Sequence, residues 1–360
     1  MGSVWQGDEC LPTESLEARA LQVATGLIEE GLSPGDGVGI YLRNDFAFFE
    51  ISRGAALMGA YPVAINWHYT PAEAEYLFND SGIKALVIHA DLLSKVRPVI
   101  PDHVLILSVP APKSIQLAYG VSDAKCAVQP GDIDWNLWRQ SFEATPRDPE
   151  QLPSTIIYTS GTTGKPKGIK RPLDGSEISD PDLIGAGLVG GIFGMDTESV
   201  YLSPAPLYHS APLGFTTGTQ SVGGTVVVLE KFDPHEALQA IETHGVTHSQ
   251  WDPTMFTRML KLSEDDRNKH DLSTHTVAIH AAAPCPVEVK KQMLDWWGPI
   301  LHEYYAGTEL NGFCYVGPDD WIAHPGTVGK PLIGFEPRST AVSAASVETA
   351  AATSTASAGF

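Results

Sequence analysis

Basic residues are scarce in this chain. Only 23 Lys and Arg face 43 Asp and Glu, giving a formal charge of −20 over 360 residues. That imbalance argues against nucleic acid or an anionic membrane as the main partner, because phosphate backbones are gripped by net-basic faces. Any anionic ligand has to be held by a local cluster working against the overall field. Cysteine is scarce as well. Cys10, Cys126, Cys285 and Cys314 lie far apart, with no C-x-x-C and no Cys/His metal spacing. The pattern fits reduced thiols in a cytoplasmic protein. His244 and His248 are four apart, but Gly245 separates them and no third ligand is spaced nearby. His302-Glu303 lacks the second histidine of a zincin helix, and there is no G-x-S-x-G elbow. No apolar run reaches the length of a membrane span, and residues 1–11 lack the basic start and apolar core of a signal peptide. A cytoplasmic protein without a transmembrane segment is the expectation.

What is present is ordinary for a globular chain: 43% apolar, 9% aromatic and 18% charged residues. A chain of this length can bury roughly 75% of its unfolded surface and needs no staples. Short apolar runs at 37–42, 61–65, 85–88 and 104–109 alternate with helical stretches at 46–58 and 71–79. Such alternation implies βαβ units and a mostly parallel sheet, an α/β fold. The second of these helices has a clear start, with Thr70 as N-cap, Pro71 first and Glu73 third. Residues 129–153 are rich in Pro and Asp and read as a connecting loop with little core. Strands follow at 155–158, 223–229 and 276–280, with helices at 234–244 and 253–262. The predicted organisation is therefore an α/β subdomain over 1–128, a loop over 129–153, a second α/β subdomain over 154–338, and a tail over 339–360. In that tail 17 of 22 residues are Ala, Ser or Thr and only Glu348 is charged, so disorder is expected.

One segment dominates the chemistry. Residues 159–168 read Thr159-Ser160-Gly161-Thr162-Thr163-Gly164-Lys165-Pro166-Lys167-Gly168 directly after a strand. Glycines let backbone N–H groups turn toward an anion, hydroxyls add donors and lysines add charge, which together make a phosphate cradle. It is not a Walker A loop, since Gly161 and Gly164 are only three apart and Pro follows Lys165. Lys170 and Arg171 extend the local positive charge. A polar surface turn is the alternative such clusters usually support.

This run, with Tyr158 before it, closely resembles the phosphate-binding signature of the adenylate-forming superfamily, which includes acyl-CoA synthetases, peptide-synthetase adenylation domains and firefly-luciferase-like enzymes. Further pieces follow in the family's order. Tyr208-His209-Ser210-Ala211-Pro212 resembles the acyl-pocket motif, and Ala281-Ala282-Ala283-Pro284 the adenine-side loop. Tyr305-Ala306-Gly307-Thr308-Glu309 resembles a Tyr-Gly-x-Thr-Glu motif, with Ala306 in place of Gly. The stretch from His324 to Leu332 resembles the segment that closes the large domain. The fold this implies is the superfamily's large domain, two stacked βαβ-type subdomains with mostly parallel sheets.

The activity implied is that of an acid–thiol ligase. A carboxylic acid is joined to ATP as an acyl-adenylate, and coenzyme A then displaces AMP. Carried over by position, Thr159, Ser160, Gly161, Thr162, Thr163, Gly164, Lys165 and Lys167 would grip the β- and γ-phosphates. Thr308 would meet the α-phosphate, Glu309 would hold Mg²⁺, and Tyr305 would stack on adenine beside Ala282, Ala283 and Pro284. His209 would lie near the reacting carboxylate. The partners implied are a fatty or other carboxylic acid, ATP and coenzyme A, with a homodimer left open and nucleic acid excluded. The family's ribose-binding Asp and its small C-terminal domain are absent after Gly334, which implies impaired turnover. A non-catalytic ATP- or acyl-binding remnant is the alternative.

Overall fold

Apolar runs without polar alternation form strands buried on both faces, as parallel sheets require. Gly37–Tyr41 is buried along its whole length, and Ile83–His89 is buried at all but one position. The computed structural model describes residues 2–147, 149, 152–159, 166–173, 181–307 and 312–332. The expected tail at 339–360, together with Ser160, Gly161, Thr162, Thr163, Gly164, Lys165, Thr308 and Glu309, lies outside those residues.

Two sheets carry the fold. The first has seven strands in the order Ile133–Asp134, Leu105–Val109, Ile83–His89, Gly37–Tyr41, Tyr61–Ala64, Ile156–Thr159 and Lys167–Ile169. All neighbours are parallel except the last pair. From Gly37–Tyr41 the chain first builds outward on one side and then reverses to Ile83–His89 on the other, the topology of a doubly wound sheet. The second sheet has nine strands: Lys330–Pro331, Phe313–Val316, Leu301–Ala306, Val277–His280, His248–Trp251, Val200–Ser203, Thr225–Val228, Ser3–Gln6 and Glu9–Pro12. Its centre is parallel and its rims antiparallel. One apolar core joins both sheets with the helices Thr13–Glu29, Phe46–Leu57, Pro181–Phe193 and Ser210–Ser221. The last two cross at glycine, where a Cβ on Gly218 would lie 2.7 Å from the Gly185 carbonyl oxygen.

The helix expected to start at Thr70 spans Pro71–Ser81 with the full reciprocal capping box between Thr70 and Glu73. Two expectations need correction. The sheets do not divide the chain at 128 and 154. Ser3–Gln6 pairs with Thr225–Val228 in the second sheet, while Ile156–Thr159 pairs with Tyr61–Ala64 in the first. Strand pairing is decided by distant partners that a linear reading does not see. Nor is 129–153 merely a connecting loop. It holds the helix Trp135–Gln140, capped by the Asp134 carboxylate, which accepts from Leu137 N–H. Trp135 is 1% exposed and donates its indole N–H to Glu50 Oε2 at 3.1 Å. Trp138 stacks on it at 5.7 Å. Two tryptophans three apart mark one helical face, and that spacing was the missed signal.

Truncating Trp135 therefore tests whether this segment belongs to the core. Trp135→Ala is expected to cost about 3–5 kcal/mol in urea denaturation; a loss under about 1 kcal/mol would return the segment to the periphery.

Candidate active site

Parallel strands deliver their following loops to one edge, and open α/β sheets take their ligands at that edge. In the second sheet, Val200–Ser203 leads to Tyr208 and His209, and His248–Trp251 leads to Asp252. Val277–His280 leads to Ala282, Ala283 and Pro284, while Leu301–Ala306 carries Tyr305 near its end. The fold thus brings the described members of three separate motifs to a common carboxyl edge.

His209 occupies the N-cap position of the helix Ser210–Ser221 without using its side chain as a cap. Its ring lies 4.5 Å from that of Tyr208. The residue is exposed to solvent. Partial loss of hydration lowers its pKa; Asp252 opposes that shift and His68 adds to it. The imidazole is accordingly neutral near pH 7 and offers a hydrogen bond rather than a charge. Behind it rises an aromatic wall. Tyr304 stacks on Phe313 at 5.0 Å and on Phe215 at 5.9 Å. Gln250 Nε2 donates to Tyr304 Oη at 3.0 Å and Tyr201 Oη donates to Gln250 Oε1 at 3.3 Å, so the buried hydroxyls are partnered.

Strand alternation separates the two tyrosines of Leu301–Ala306. Tyr304 is 9% exposed and belongs to the core, whereas Tyr305 is 68% exposed. A large aromatic face left open at a carboxyl edge suits a planar ligand. The exposed turn through Ala282, Ala283 and Pro284 contains Ala282 at φ 74°, the sole non-glycine in the left-handed region among the described residues. Strain of this kind persists where surrounding structure enforces it, often beside a ligand. A buried ion pair follows the turn in sequence. Lys290, on the helix Val287–Trp297 just after the turn, donates to Glu303 Oε2 at 2.6 Å from the strand that bears Tyr305. Lys290 is fully buried and its ammonium also lies 4.7 Å from the Trp321 ring centroid. Burial lowers the Lys290 pKa and Glu303 opposes the shift.

The described ends of the phosphate-like signature lie on a pair of adjacent strands. Ile156–Thr159 and Lys167–Ile169 are antiparallel, with Thr159 opposite Lys167. Tyrosines fix this pair: Tyr158 Oη donates to Asp80 Oδ2 at 2.8 Å, and Tyr76 Oη donates to the Pro166 carbonyl at 3.2 Å. Lys167 is exposed, but Lys170 rests on the Tyr61 ring at 4.1 Å, so part of the expected cationic cluster serves these strands. Among the described residues no group of three or more His, Cys, Asp and Glu is arranged to hold a metal.

Sequence reading missed the polar network at the chain reversal of the first sheet. Arg43 forms a bidentate pair with Asp91 at 2.9 and 2.8 Å, and His89 Nε2 meets Asp45 Oδ2 at 2.9 Å. The signal available was Arg43-Asn44-Asp45 immediately after a wholly apolar strand.

Comparison with known proteins gives three findings. The family described as AMP-binding enzyme matches residues 11–339. A 4-hydroxybutyrate–CoA ligase of Metallosphaera sedula is 28% identical over 299 residues, 78% of this chain and 50% of the relative. A peroxisomal benzoate–CoA ligase of Arabidopsis thaliana is 28% identical over 328 residues, 85% of this chain and 53% of the relative. The chain therefore spans about half the length of these curated relatives. Among solved structures, the anthranilate CoA ligase AuaEII in complex with anthranoyl-AMP superposes with a TM-score of 0.78 at 21% identity, covering 93% of this chain and 62% of that one. The likeness establishes the fold.

Two measurements check the buried chemistry. Lys290→Met strands the Glu303 carboxylate and is expected to cost about 3–5 kcal/mol in denaturant, with the double variant Lys290→Met/Glu303→Leu recovering most of it. Acid should also weaken the fold. Burial holds His275 at about 3 and His302 at about 4, against an ordinary 6.5. The native state therefore binds fewer protons than the unfolded chain between those values. Their contribution is complete above about pH 6.5 and drains as pH falls toward about 4, so the urea midpoint should drop between about pH 7 and about pH 5.

Proposed function

Since this chain belongs to the AMP-binding enzyme family, we propose that it activates a carboxylic acid with ATP as an acyl-adenylate, with coenzyme A as the acyl acceptor. One observation carries the reading: His209, the strained turn at Ala282 and the open face of Tyr305 share one carboxyl edge. In the first step a carboxylate oxygen attacks the α-phosphorus, forming the acyl–phosphate bond as the bond to pyrophosphate breaks. In the second, the thiol sulfur attacks the acyl carbon, AMP leaves with the electron pair, and the thiol proton passes to solvent. Both reactants of the first step are anions, so donors and positive charge must be in place beforehand.

Tyr305 is the adenine platform, and the turn through Ala282, Ala283 and Pro284 is the wall at the base's edge. The segment from Thr159 to Lys167, with Ser160, Gly161, Thr162, Thr163, Gly164 and Lys165, holds the β- and γ-phosphates by backbone N–H groups, hydroxyls and ammonium. Thr308 reaches the α-phosphate. Glu309 supplies a hard oxygen donor of the kind that holds Mg²⁺, which would neutralise phosphate charge. Neutral His209 orients the acid without forming an ion pair that would blunt the nucleophile. The same chemistry is supported by the two CoA ligases to which the chain is similar.

Pyrophosphate exchange into ATP over a panel of aliphatic and aromatic acids tests this directly. Acid-dependent exchange supports adenylation; its absence with ATP binding intact leaves a nucleotide-binding protein instead. Tyr305→Ala should weaken ATP binding by about 1–3 kcal/mol in calorimetry, the range for loss of one base–aromatic stack. An unchanged affinity would remove Tyr305 from the site.

A further inference from the structure

We propose that Asn44 is a positioning residue for the acid side of the cleft, fixing the backbone from which Tyr208 and His209 project. The proposal rests on the acid-activation reading for its kinetic consequences. Its structural basis is independent of that reading.

Asn44 follows the first sheet's central strand, Gly37–Tyr41, at the chain reversal, and is 4% exposed. Its side chain makes no bond within its own sheet. Nδ2 donates to the carbonyls of Ala205 at 3.0 Å and Leu229 at 2.8 Å, and Oδ1 accepts from Leu207 N–H at 2.8 Å. Its backbone carbonyl accepts from Gln6 Nε2 at 2.9 Å. The amide orientation is forced, because two carbonyls require the NH₂ and one N–H requires the oxygen. Ala205 and Leu207 lie on the connection from Val200–Ser203 to the helix Ser210–Ser221, and His209 N–H donates to the Pro206 carbonyl at 3.2 Å. A closed turn therefore passes the position set at 205–207 to His209 with little slack.

Asn44 is itself braced. Arg43 before it is locked to Asp91, and Asp45 after it binds His89 and caps the helix Phe46–Leu57. No other residue type reproduces this set: Asp would turn acceptors toward carbonyls, and an aliphatic residue would leave two carbonyls and one N–H buried without partners. Orientation errors near 1 Å cost up to about a hundredfold in rate when reacting groups must be held in line. A side chain that sets one wall of the cleft acts on the acid and not on the nucleotide, whose expected contacts lie on the turn at 282–284, on Tyr305, on Thr308 and on residues 159–167.

The test uses the full chain and Asn44→Ala. In pyrophosphate exchange the acid's KM should rise roughly tenfold or more while that for ATP stays within about twofold. Equal rises in both, or no rise in either, would overturn the proposal, because a purely structural loss of stability does not separate the two substrates. Two readouts need no turnover. The Leu207 amide should exchange slowly with deuterium in the unaltered protein, and exchange at the rate of an open loop would refute its bond to Asn44. In the variant, the His209 ring, followed by NMR, should titrate closer to the ordinary imidazole value as the cleft loosens around it, with Asp252 and His68 still its titratable neighbours. An unchanged midpoint in a folded variant counts against the proposal. Should Asn44→Ala fail to fold, Asn44→Ser takes its place in every measurement. Absence of exchange with all acids in the unaltered protein would sink the functional reading alone, and the deuterium and NMR results would still decide the positioning role.

Discussion

Two mostly parallel sheets that exchange no backbone hydrogen bond among the described residues must nevertheless meet at a fixed offset, and the Asn44 amide joins the two across that junction. Three side-chain hydrogen bonds reach from the reversal point of one sheet to two loops of the other. They set the register of that junction. The loop carrying His209 is placed by it, and the Tyr119 hydroxyl supports the same junction by donating to the Glu230 carbonyl at 2.8 Å. Apolar contact could hold the sheets together at many offsets. Directional bonds to buried carbonyls select one of them.

The charge balance acquires a meaning from the same junction. A chain with so few cations spends several of them internally: Arg43 on Asp91, Arg19 and Arg139 on Glu50, and Lys290 on Glu303. Each is a brace between two different segments of the chain. The cations that remain are still outnumbered by acidic residues. What does remain near the phosphate-like signature is concentrated by short sequence spacing, and even there Lys170 is turned onto an aromatic ring.

Much of the fold was legible. Apolar runs gave strands within a residue or two, and the Thr70 capping box was read from four residues and is present in full. These features are local, set by side chains within a turn of one another. Sheet membership was not legible, because Ser3–Gln6 and Thr225–Val228 recognise each other only after folding. Residues 129–153 were misjudged because Pro and Asp content masked two tryptophans on one helical face. At the candidate site, the motif loops announced themselves by composition, whereas Asn44, Lys290 and Glu303 did not. A buried polar residue looks ordinary in a sequence until its partner, brought from elsewhere in the chain, is known.

The placement of Ser3–Gln6 has a consequence for how the molecule is made. Ser3–Gln6 can pair with Glu9–Pro12 at once, but Val4 pairs with Val226, so its parallel neighbour arrives only when more than half of the chain has followed. At about 5–20 residues per second that interval is roughly 10–45 s. Through it, one edge of Ser3–Gln6 keeps backbone groups that only Thr225–Val228 will pair. That interval is thus when this strand edge is open to wrong partners, and a strand met early in the sequence completes its pairing late.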